Sequence, residues 1–226
     1  MIKFNSVYSQ QIKNFYSVYN ANYIIDKNTL FIGDIIDGSY SIMRMLAKIE
    51  KEYKGEILVD EKNLKTMKDK DLPIAYVAHD FELFENKTIF ENLFFPLKIR
   101  KINKNYAKNL IFDEIFKHYS IFNKNFKLNS ENKNEEINKI LNTKIKFLNK
   151  SQKKLVTLLR ATLRQPKYLL IEDFFSNLDN VYFETAFEII NNAATYSTII
   201  ACENEDNKIE CFNSFEKIYL RKNPAD

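Results

Sequence analysis

Apolar and polar residues along the chain follow two periods, and the shorter period predicts strands. Residues 1–32 alternate polar side chains with aromatic or β-branched ones, which predicts antiparallel strands, and residues 55–60 form another strand-like run. Residues 74–78, 168–171 and 198–201 are apolar almost without interruption. This composition is typical of strands that are buried on both faces, so a parallel sheet is expected.

Helices are predicted where apolar residues recur every three or four positions. Residues 41–50, 152–164 and 181–193 have this spacing, and residues 98–145 have it within a sequence rich in Lys and Asn. The more polar piece 123–142 is predicted either as a solvated part of a helical subdomain or as a locally disordered insert. Strands that alternate with helices predict an α/β fold.

A short loop between a predicted strand and the first predicted helix has the glycine spacing of a phosphate-binding loop. Gly33 and Gly38 frame G-x-x-x-x-G, whose working form continues with Lys and then Ser or Thr. Here Ser39 replaces the lysine that neutralises the terminal phosphates, and Tyr40 replaces the hydroxyl that coordinates magnesium. The residues of this vestigial loop are Gly33, Asp34, Asp37, Gly38, Ser39, Tyr40 and Ser41.

Two acids are expected to weaken the binding of phosphate by this loop further. Asp34 and Asp37 bring carboxylates to a backbone nest that should hold a polyanion. One like charge at about 4 Å costs roughly 4 kcal/mol at an effective dielectric constant near 20. We therefore predict that the chain binds no nucleotide cofactor and no metal.

The composition excludes several classes of protein. A hydrophobic fraction of 45% in 226 residues is enough for a sizeable core, and a net charge of +4 does not indicate a nucleic-acid partner. No apolar run approaches the ~18 residues that span a bilayer, and the first residues do not resemble a signal peptide. Cys202 and Cys211 have neither metal-binding nor disulfide spacing. We expect a cytoplasmic protein that reaches the inner face of a membrane only through a partner.

Further segments follow the loop in an order and spacing that resemble the nucleotide-binding domain of ABC transporters over nearly the whole chain. They are 76–84 (YVAHDFELF), 88–93 (TIFENL), 148–152 (LNKSQ), 169–173 (LLIED), 176–179 (SNLD) and 199–203 (IIACE). The resemblance is nearest to the subunits of lipoprotein release, MacB-type export and FtsE–FtsX cell division.

The resemblance implies a P-loop NTPase (RecA-like) α/β core with a parallel sheet, an N-terminal antiparallel β subdomain and a helical subdomain. One domain is expected over 1–226. Its core would comprise 1–97 and 146–226, and its helical subdomain would comprise 98–145.

The resemblance also implies that the residues of ATP hydrolysis have changed. Glu172 and Asp173 invert the family's Asp-Glu pair, which holds magnesium and positions the attacking water, and a misplacement of ~1 Å can cost about 100-fold in rate. His79 replaces the Q-loop carboxamide, and Glu203 replaces the switch histidine and is expected to repel the γ-phosphate. We predict that no catalytic residue is intact and that these acids are vestigial. Solvated acids and a structural histidine are the alternatives.

The family's signature and D-loop are altered or retained in part. The matching positions are Leu148, Asn149, Lys150, Ser151 and Gln152 for the signature and Asp179 for the D-loop. In the family the signature glycines let a helix N-terminus approach the γ-phosphate held by the partner subunit. Lys150 supplies charge there but obstructs a close approach.

Aromatic residues after the Q-loop are candidates for contact with a membrane protein. In the family a groove in this region receives a helix of the membrane subunit, and Phe84, Phe94 and Phe95 are predicted to line it. The alternative is that all three belong to the core.

These predictions lead to a degenerate ABC-type subunit, a pseudo-ATPase with a structural or regulatory role beneath a permease or an FtsX-like protein. It would form a dimer with itself or with a competent ATPase subunit. One alternative is an active ATP-binding subunit with divergent motifs, which would use Mg-ATP. The other is a soluble interaction scaffold without a transporter.

Overall fold

The structure is a computed structural model that describes residues 1–12, 15–33, 38–80, 82–126, 132–204 and 212–220. Asp34 and Asp37 of the predicted phosphate loop lie outside these residues, as does Cys211. The chain forms two compact units. The first comprises Met1–His79, Pro166–Ser176 and Tyr196–Asp226, and the second comprises Asp80–Gln165 and Asn177–Thr195.

The described part of the first unit contains ten strands in two sheets. They are β1 (Ile2–Ile12), β2 (Phe15–Ala21), β3 (Ile24–Ile25), β4 (Thr29–Ile32), β5 (Tyr53–Val59), β6 (Lys62–Asn63), β7 (Ile74–Val77), β8 (Tyr168–Glu172), β9 (Thr198–Glu203) and β10 (Glu216–Tyr219). One sheet has the order β10-β4-β9-β8-β7, and its neighbours are parallel. The other has the antiparallel order β2-β1-β5-β6, with β3 paired to β1.

The parallel sheet places the carboxyl ends of its central strands at one edge. Ile32 of β4 lies opposite Glu203 of β9, and Glu172 of β8 lies opposite Cys202. β8 is buried along its whole length, as expected for a strand that is covered on both faces. The predicted α/β fold with a parallel sheet and an N-terminal antiparallel part is confirmed.

The prediction of antiparallel strands over 1–32 is wrong for the last strand of that range. β4 is parallel to both β9 and β10. Its residues are all buried, so it lacks the alternation that marks a strand with one solvated face. The continuous apolar run Leu30–Ile32 was the signal for a central parallel strand.

The helix α1 (Ser39–Leu46) follows β4 and contacts β8 and β9. Its Ile42 and Met45 join Phe31, Leu170 and Ile200 in the apolar core of the first unit. The predicted helix 41–50 begins earlier and ends earlier in the structure, because Lys48 has a left-handed φ of 59° that does not continue an α-helix.

Helices build the described part of the second unit. They are α2 (Ile89–Ile99), α3 (Lys104–Lys117), α4 (Tyr119–Phe126), α5 (Lys133–Asn142), α6 (Lys150–Thr162) and α7 (Asn180–Ala193). This unit is larger than the predicted helical subdomain 98–145, because α2 and α6 contact each other and α7 contacts both α4 and α6. The single domain over 1–226 stays a prediction.

The polar piece 123–142 ends in a helix. The side chain of Asn132 accepts a hydrogen bond from the N–H of Asn134 at the start of α5. α5 then buries Ile137, Ile140 and Leu141. The disordered-insert alternative is therefore wrong for α5, and residues 127–131 lie outside the described chain. None of the helices described here is long and apolar enough to cross a membrane.

Candidate nucleotide-binding site and docking surface

The second glycine of the predicted phosphate loop is the N-cap of α1. Gly38 has a left-handed φ of 87°, and a Cβ there would lie 1.9 Å from the carbonyl oxygen of Ser17. Ser39 and Ser41 are both buried behind it. Ser39 Oγ donates to the carbonyl of Gly33 at 3.4 Å, and the hydroxyls of Ser41 and Ser17 lie 3.0 Å apart. The position of the family's lysine is therefore occupied by a short side chain that faces the fold.

Tyr40, Asp173 and His79 meet in one polar cluster at the edge of the parallel sheet. The Tyr40 hydroxyl donates to Asp173 Oδ2 at 3.2 Å, and His79 Nδ1 lies 3.0 Å from the same oxygen. Burial, followed by the negative charge of Asp173, raises the pKa of the Tyr40 phenol. Tyr40 therefore stays protonated and keeps its role as the donor to Asp173.

Glu172 lies beside this cluster, but the described residues do not satisfy the hydrogen-bonding capacity of its carboxyl group. The residue is 4% exposed, and its Oε2 has no hydrogen-bond partner among the described residues. Burial raises the pKa of Glu172 to about 7. The positive charge of Arg44 opposes this shift, and the negative charge of Asp173 adds to it. At neutral pH a substantial fraction of this carboxyl is therefore protonated.

Glu203 turns its carboxylate into the fold. It is 2% exposed, and its Oε1 accepts hydrogen bonds from the backbone N–H groups of Phe174 (3.0 Å) and Phe175 (3.4 Å). The N–H of Gly33 donates to the carbonyl of Glu203 at 3.3 Å. The expectation that Glu203 presents its charge to a phosphate does not fit this geometry, because the carboxylate holds the loop after β8. The solvated-acid alternative is wrong for Glu172 and Asp173, since both are buried.

The predicted signature and D-loop residues lie together at the start of α6. Asn149 caps the helix in a capping box, in which Gln152 N–H donates to Asn149 Oδ1 at 2.8 Å and Asn149 N–H donates to Gln152 Oε1 at 2.9 Å. Ser151 Oγ donates to Asp179 Oδ2 at 2.8 Å, and the Asp179 N–H donates back to Ser151 Oγ at 3.1 Å. Leu148 is buried below the cap, and Lys150 is exposed.

Of the three predicted docking aromatics, two are exposed. Phe84 is 47% exposed and Phe95 is 45% exposed, while Phe94 is half-buried. The rings of Phe84 and Phe95 meet edge to face with centroids 5.0 Å apart. They border a shallow groove of about 310 Å³ lined by Phe84, Lys87, Glu91, Phe94, Phe95 and Lys98. The alternative that all three are core residues is wrong.

Sequence reasoning missed the residues that hold the segment leading to this groove. The Asn92 side chain is fully buried; its Oδ1 accepts from the N–H of Phe84 at 2.8 Å and its amide donates to the Phe84 carbonyl at 3.2 Å. Arg160 Nη1 donates to the carbonyl of Glu82 at 2.9 Å. A polar Asn92 next to the buried Leu93 was the available signal, since a buried amide needs partners.

Comparison with known proteins connects these features to a family. A profile of the family described as ABC transporter matches residues 36–176, which is more than half of the chain. The sn-glycerol-3-phosphate import ATP-binding protein UgpC of Bordetella pertussis is 31% identical over 142 residues, 63% of this chain and 34% of that protein. The methionine import ATP-binding protein MetN 1 of Staphylococcus epidermidis is 25% identical over 202 residues, 85% of this chain and 54% of that protein.

The chain spans between about a third and just over half of the length of the two proteins. Both names describe import subunits, so they give no support to the narrower prediction of lipoprotein-release, MacB-type or FtsE-type kinship.

Solved structures share the fold. The dimeric ATP-binding cassette MJ0796, in a post-hydrolysis state with ADP and Pi, has a TM-score of 0.77 at 18% identity, covering 98% of this chain and 95% of that one. A bacterial Atm1-family ABC exporter with ATP bound has a TM-score of 0.76 at 16% identity, covering 98% of this chain and 37% of that one. The solved structures therefore share the fold of this chain. The family profile matches a segment that includes Tyr40, His79, Asp173 and the signature residues, and this match shows that the chain belongs to the ABC transporter family.

Proposed function

We propose that this chain is the ATP-binding-cassette subunit of an ABC transporter and that its own nucleotide site has lost ATP hydrolysis. The first part rests on the family profile and on relatives that are named as import ATP-binding proteins. The second part rests on one observation, the hydrogen bond from Tyr40 to Asp173 at the position where the family places a magnesium-coordinating hydroxyl.

The residues present do not fit magnesium ATP. Hydrolysis needs a hydroxyl ligand for magnesium and a carboxylate that can position the attacking water, but the Tyr40 hydroxyl donates to Asp173 Oδ2 and His79 contacts the same oxygen. Within the described residues, no three His, Cys, Asp or Glu side chains are arranged to hold a metal ion. This arrangement supports the proposal that the site does not hydrolyse ATP.

The missing lysine also weakens phosphate binding. A lysine charge about 4 Å from a phosphate oxygen is worth roughly 4 kcal/mol at an effective dielectric constant near 20, which corresponds to about a thousand-fold in affinity. The buried hydroxyl of Ser39 carries no such charge. Backbone N–H groups at the start of α1 remain as the main attraction for a polyanion.

The partner that we propose is an integral membrane permease. Exposed aromatic rings beside Lys98 form a surface that suits an amphipathic helix of such a subunit. The chain would lie at the cytoplasmic face of the membrane through this contact. A cassette with a weak site of its own is expected to pair with a competent ATPase subunit, and a dimer of two copies of this chain is the other arrangement.

An active ATPase with divergent motifs is the second candidate. The comparisons favour it, because the relatives are named as ATP-binding proteins and the profile match includes most of the phosphate loop. In that case Tyr40 would have to leave Asp173 when the nucleotide binds.

Phosphate release by the purified chain separates the two candidates. We expect no magnesium-dependent release of phosphate from ATP above the level of an Asp173→Asn variant, which serves as the control for contaminating ATPases. Turnover that is present in the natural chain and lost in that variant would establish the active enzyme and refute the pseudo-ATPase.

A further inference from the structure

A cavity of about 340 Å³ lies at the carboxyl end of α1, within the first compact unit. Lys48 has a left-handed φ of 59° there, and the N–H groups of Ile49 and Glu50 donate to the carbonyl of Arg44 at 2.9 and 3.1 Å. The chain thus turns back over the end of the helix, and Lys48 and Glu50 of this turn line the cavity. The phosphate loop precedes the other end of α1, and the two ends of this eight-residue helix are roughly 12 Å apart. The cavity is therefore separate from the nucleotide site.

Part of the cavity wall is apolar. Met45 of α1 and Leu64 are buried, Tyr53 of β5 is half-buried, and all three line the cavity. Sites for small molecules are typically concave, about 300–1,000 Å³ in volume, and lined by apolar side chains with a few polar groups. A ligand that fits this cavity is therefore small and has an apolar part.

Charged residues also line the cavity, and cations outnumber acids among them: Lys48, Lys51, Lys65 and Glu50. Lys48 is already engaged, because its Nζ donates to the carbonyl of Met67 and lies 3.1 Å from Asp69 Oδ1. Glu50 Oε1 accepts a hydrogen bond from the hydroxyl of Ser9. The charges that remain for a ligand are therefore mainly those of the other two lysines.

Lys51 and Lys65 form no ion pair within the part of the chain that the structure describes. Lys51 is exposed. Lys65 Nζ donates to the carbonyl of Tyr53 at 2.7 Å and lies 4.0 Å from the centroid of the Tyr53 ring, which places this ammonium group against the aromatic wall. An ammonium group has three donors, and the bond to the carbonyl uses one of them. Both lysines can therefore donate to an anion.

The hydroxyl of Tyr53 adds another donor. Its oxygen is buried and has no hydrogen-bond partner among the described residues. Burial, followed by the negative charge of Glu56, raises the pKa of Tyr53 to about 12, so the hydroxyl keeps its proton at neutral pH. The carboxylate oxygens of Glu56 accept instead from Asn5 and Asn63. A buried donor without an acceptor costs free energy, and a ligand oxygen in the cavity would supply the acceptor.

We propose that this cavity binds a small amphiphilic anion, which carries an oxyanion group on an apolar chain or ring. The apolar part packs against Met45, Leu64 and the ring of Tyr53, and the ammonium groups of Lys51 and Lys65 hold the oxyanion. A carboxylate and a phosphate monoester both present this chemistry, because lysine acts on either as a point charge. Binding at this site goes beyond the transporter role.

NMR of the methionine methyl groups tests the site in the full chain, which contains four methionines. Met45 lines the cavity, and Met1, which does not, is the internal control. Hexanoate and hexyl phosphate are titrated at equal ionic strength, beside hexanol and hexylammonium. We expect saturable shifts of the Met45 signal with both anions, at affinities about tenfold or more above those of hexanol and hexylammonium.

The stronger ligand identifies the head group. Tighter binding of hexanoate indicates a carboxylate site, and tighter binding of hexyl phosphate indicates a phosphate site. Absence of saturation with both anions overturns the proposal, as does equal affinity for hexanol or hexylammonium.

Variants test the residues that hold the anion. Lys65→Gln is expected to weaken both anions by roughly tenfold and to leave hexanol unchanged, because one charged donor is lost. Lys62→Gln is the matched control, since Lys62 is an exposed lysine of β6 outside the cavity lining. If Lys65→Gln does not fold, the exposed Lys51 provides the same test as Lys51→Gln. Full anion affinity in either of these lysine variants refutes the proposed site.

Tyr53→Phe tests the hydroxyl. We expect weaker binding of both anions without a lower Tm, because the hydroxyl makes no hydrogen bond to the described residues. Unchanged anion affinity in this variant would refute the part of the hydroxyl in the site.

Discussion

The side chains at the edge of the parallel sheet differ in their contacts from two exposed side chains of the helical unit. At the sheet edge, Tyr40 and His79 contact Asp173, and Glu203 accepts backbone hydrogen bonds. In the helical unit, Lys150 and the ring of Phe84 are exposed. Groups that bond to one another have less capacity for a ligand, while exposed groups remain available to a partner. The proposal that the chain is kept for contact more than for hydrolysis rests on this comparison.

Restoring the phosphate loop should produce the largest change. We expect Ser39→Lys with Tyr40→Ser to raise ATP affinity by up to about a thousand-fold, because a full positive charge returns and Asp173 loses one partner. Replacing Asp34 with Ser and Asp37 with Ala should raise the affinity further by removing repulsion. Hydrolysis should stay poor, since Glu203 and the inverted acids remain.

Fluorescence titration with a labelled ATP analogue measures the gain in nucleotide affinity of these variants. Tyr40→Phe is the matched control, because it removes the hydrogen bond to Asp173 without creating a metal ligand. A folded quadruple variant with no gain in ATP affinity would mean that the loop backbone does not form a phosphate nest. The low affinity would then not be explained by the substitutions in the loop.

Removing the carboxylate of Glu203 should cost about 3 kcal/mol of folding free energy, since two buried N–H groups lose their acceptor. Glu203→Ala is expected to lower the Tm by roughly 6–12 °C for a chain of this size. Glu203→Gln keeps an acceptor oxygen and should lose much less, in a calorimetric melt of both variants. Equal melting of the natural chain and Glu203→Ala would show that the carboxylate faces solvent.

The pH dependence of stability should report on Glu172. Because burial raises the pKa of this carboxyl from 4.5 to about 7, the folded state binds its proton more tightly than the unfolded state. This contribution is fully present below pH 4.5 and is lost as the pH rises through 7. It amounts to roughly 3 kcal/mol.

Denaturant titrations between pH 4.5 and 8 measure this loss. Glu172→Gln should flatten the decline, because an amide does not titrate in this range. If the variant and the natural chain lose stability in parallel, another group is responsible.

The smallest effect on folding is expected at the groove. Phe84→Asp should leave the Tm almost unchanged, because the ring is nearly half exposed. It should still release the chain from membranes that contain its partner, since one buried aromatic is worth roughly 1.5–3 kcal/mol.

Co-fractionation with membranes tests the groove against a matched surface. Tyr106→Asp changes an exposed aromatic of α3 outside the groove, and this variant should remain bound. Retention of a folded Phe84→Asp variant would defeat the docking proposal and favour a scaffold without a transporter.

The sequence was sufficient for local structure but not for contacts between distant residues. Continuous apolar runs predicted β7, β8 and β9, and the glycine spacing placed Gly38 at the start of a helix. The hydrogen bond of Tyr40 joins residues 133 positions apart, so no local pattern could indicate it. The direction of Glu203 was missed for the same reason, because its N–H partners lie in another loop. Exposure of Phe84 depends on how its segment is held by Asn92, which periodicity does not report.

Calorimetric titration of the natural chain with Mg-ATP tests the central claim most directly. Because Tyr40 and His79 contact Asp173 and the loop lysine is absent, we expect no ATP binding below the millimolar range. We also expect no difference between titrations with and without magnesium. Micromolar affinity that depends on magnesium would contradict the central claim, because the Tyr40 hydroxyl would then have to break its hydrogen bond to Asp173 when magnesium ATP binds.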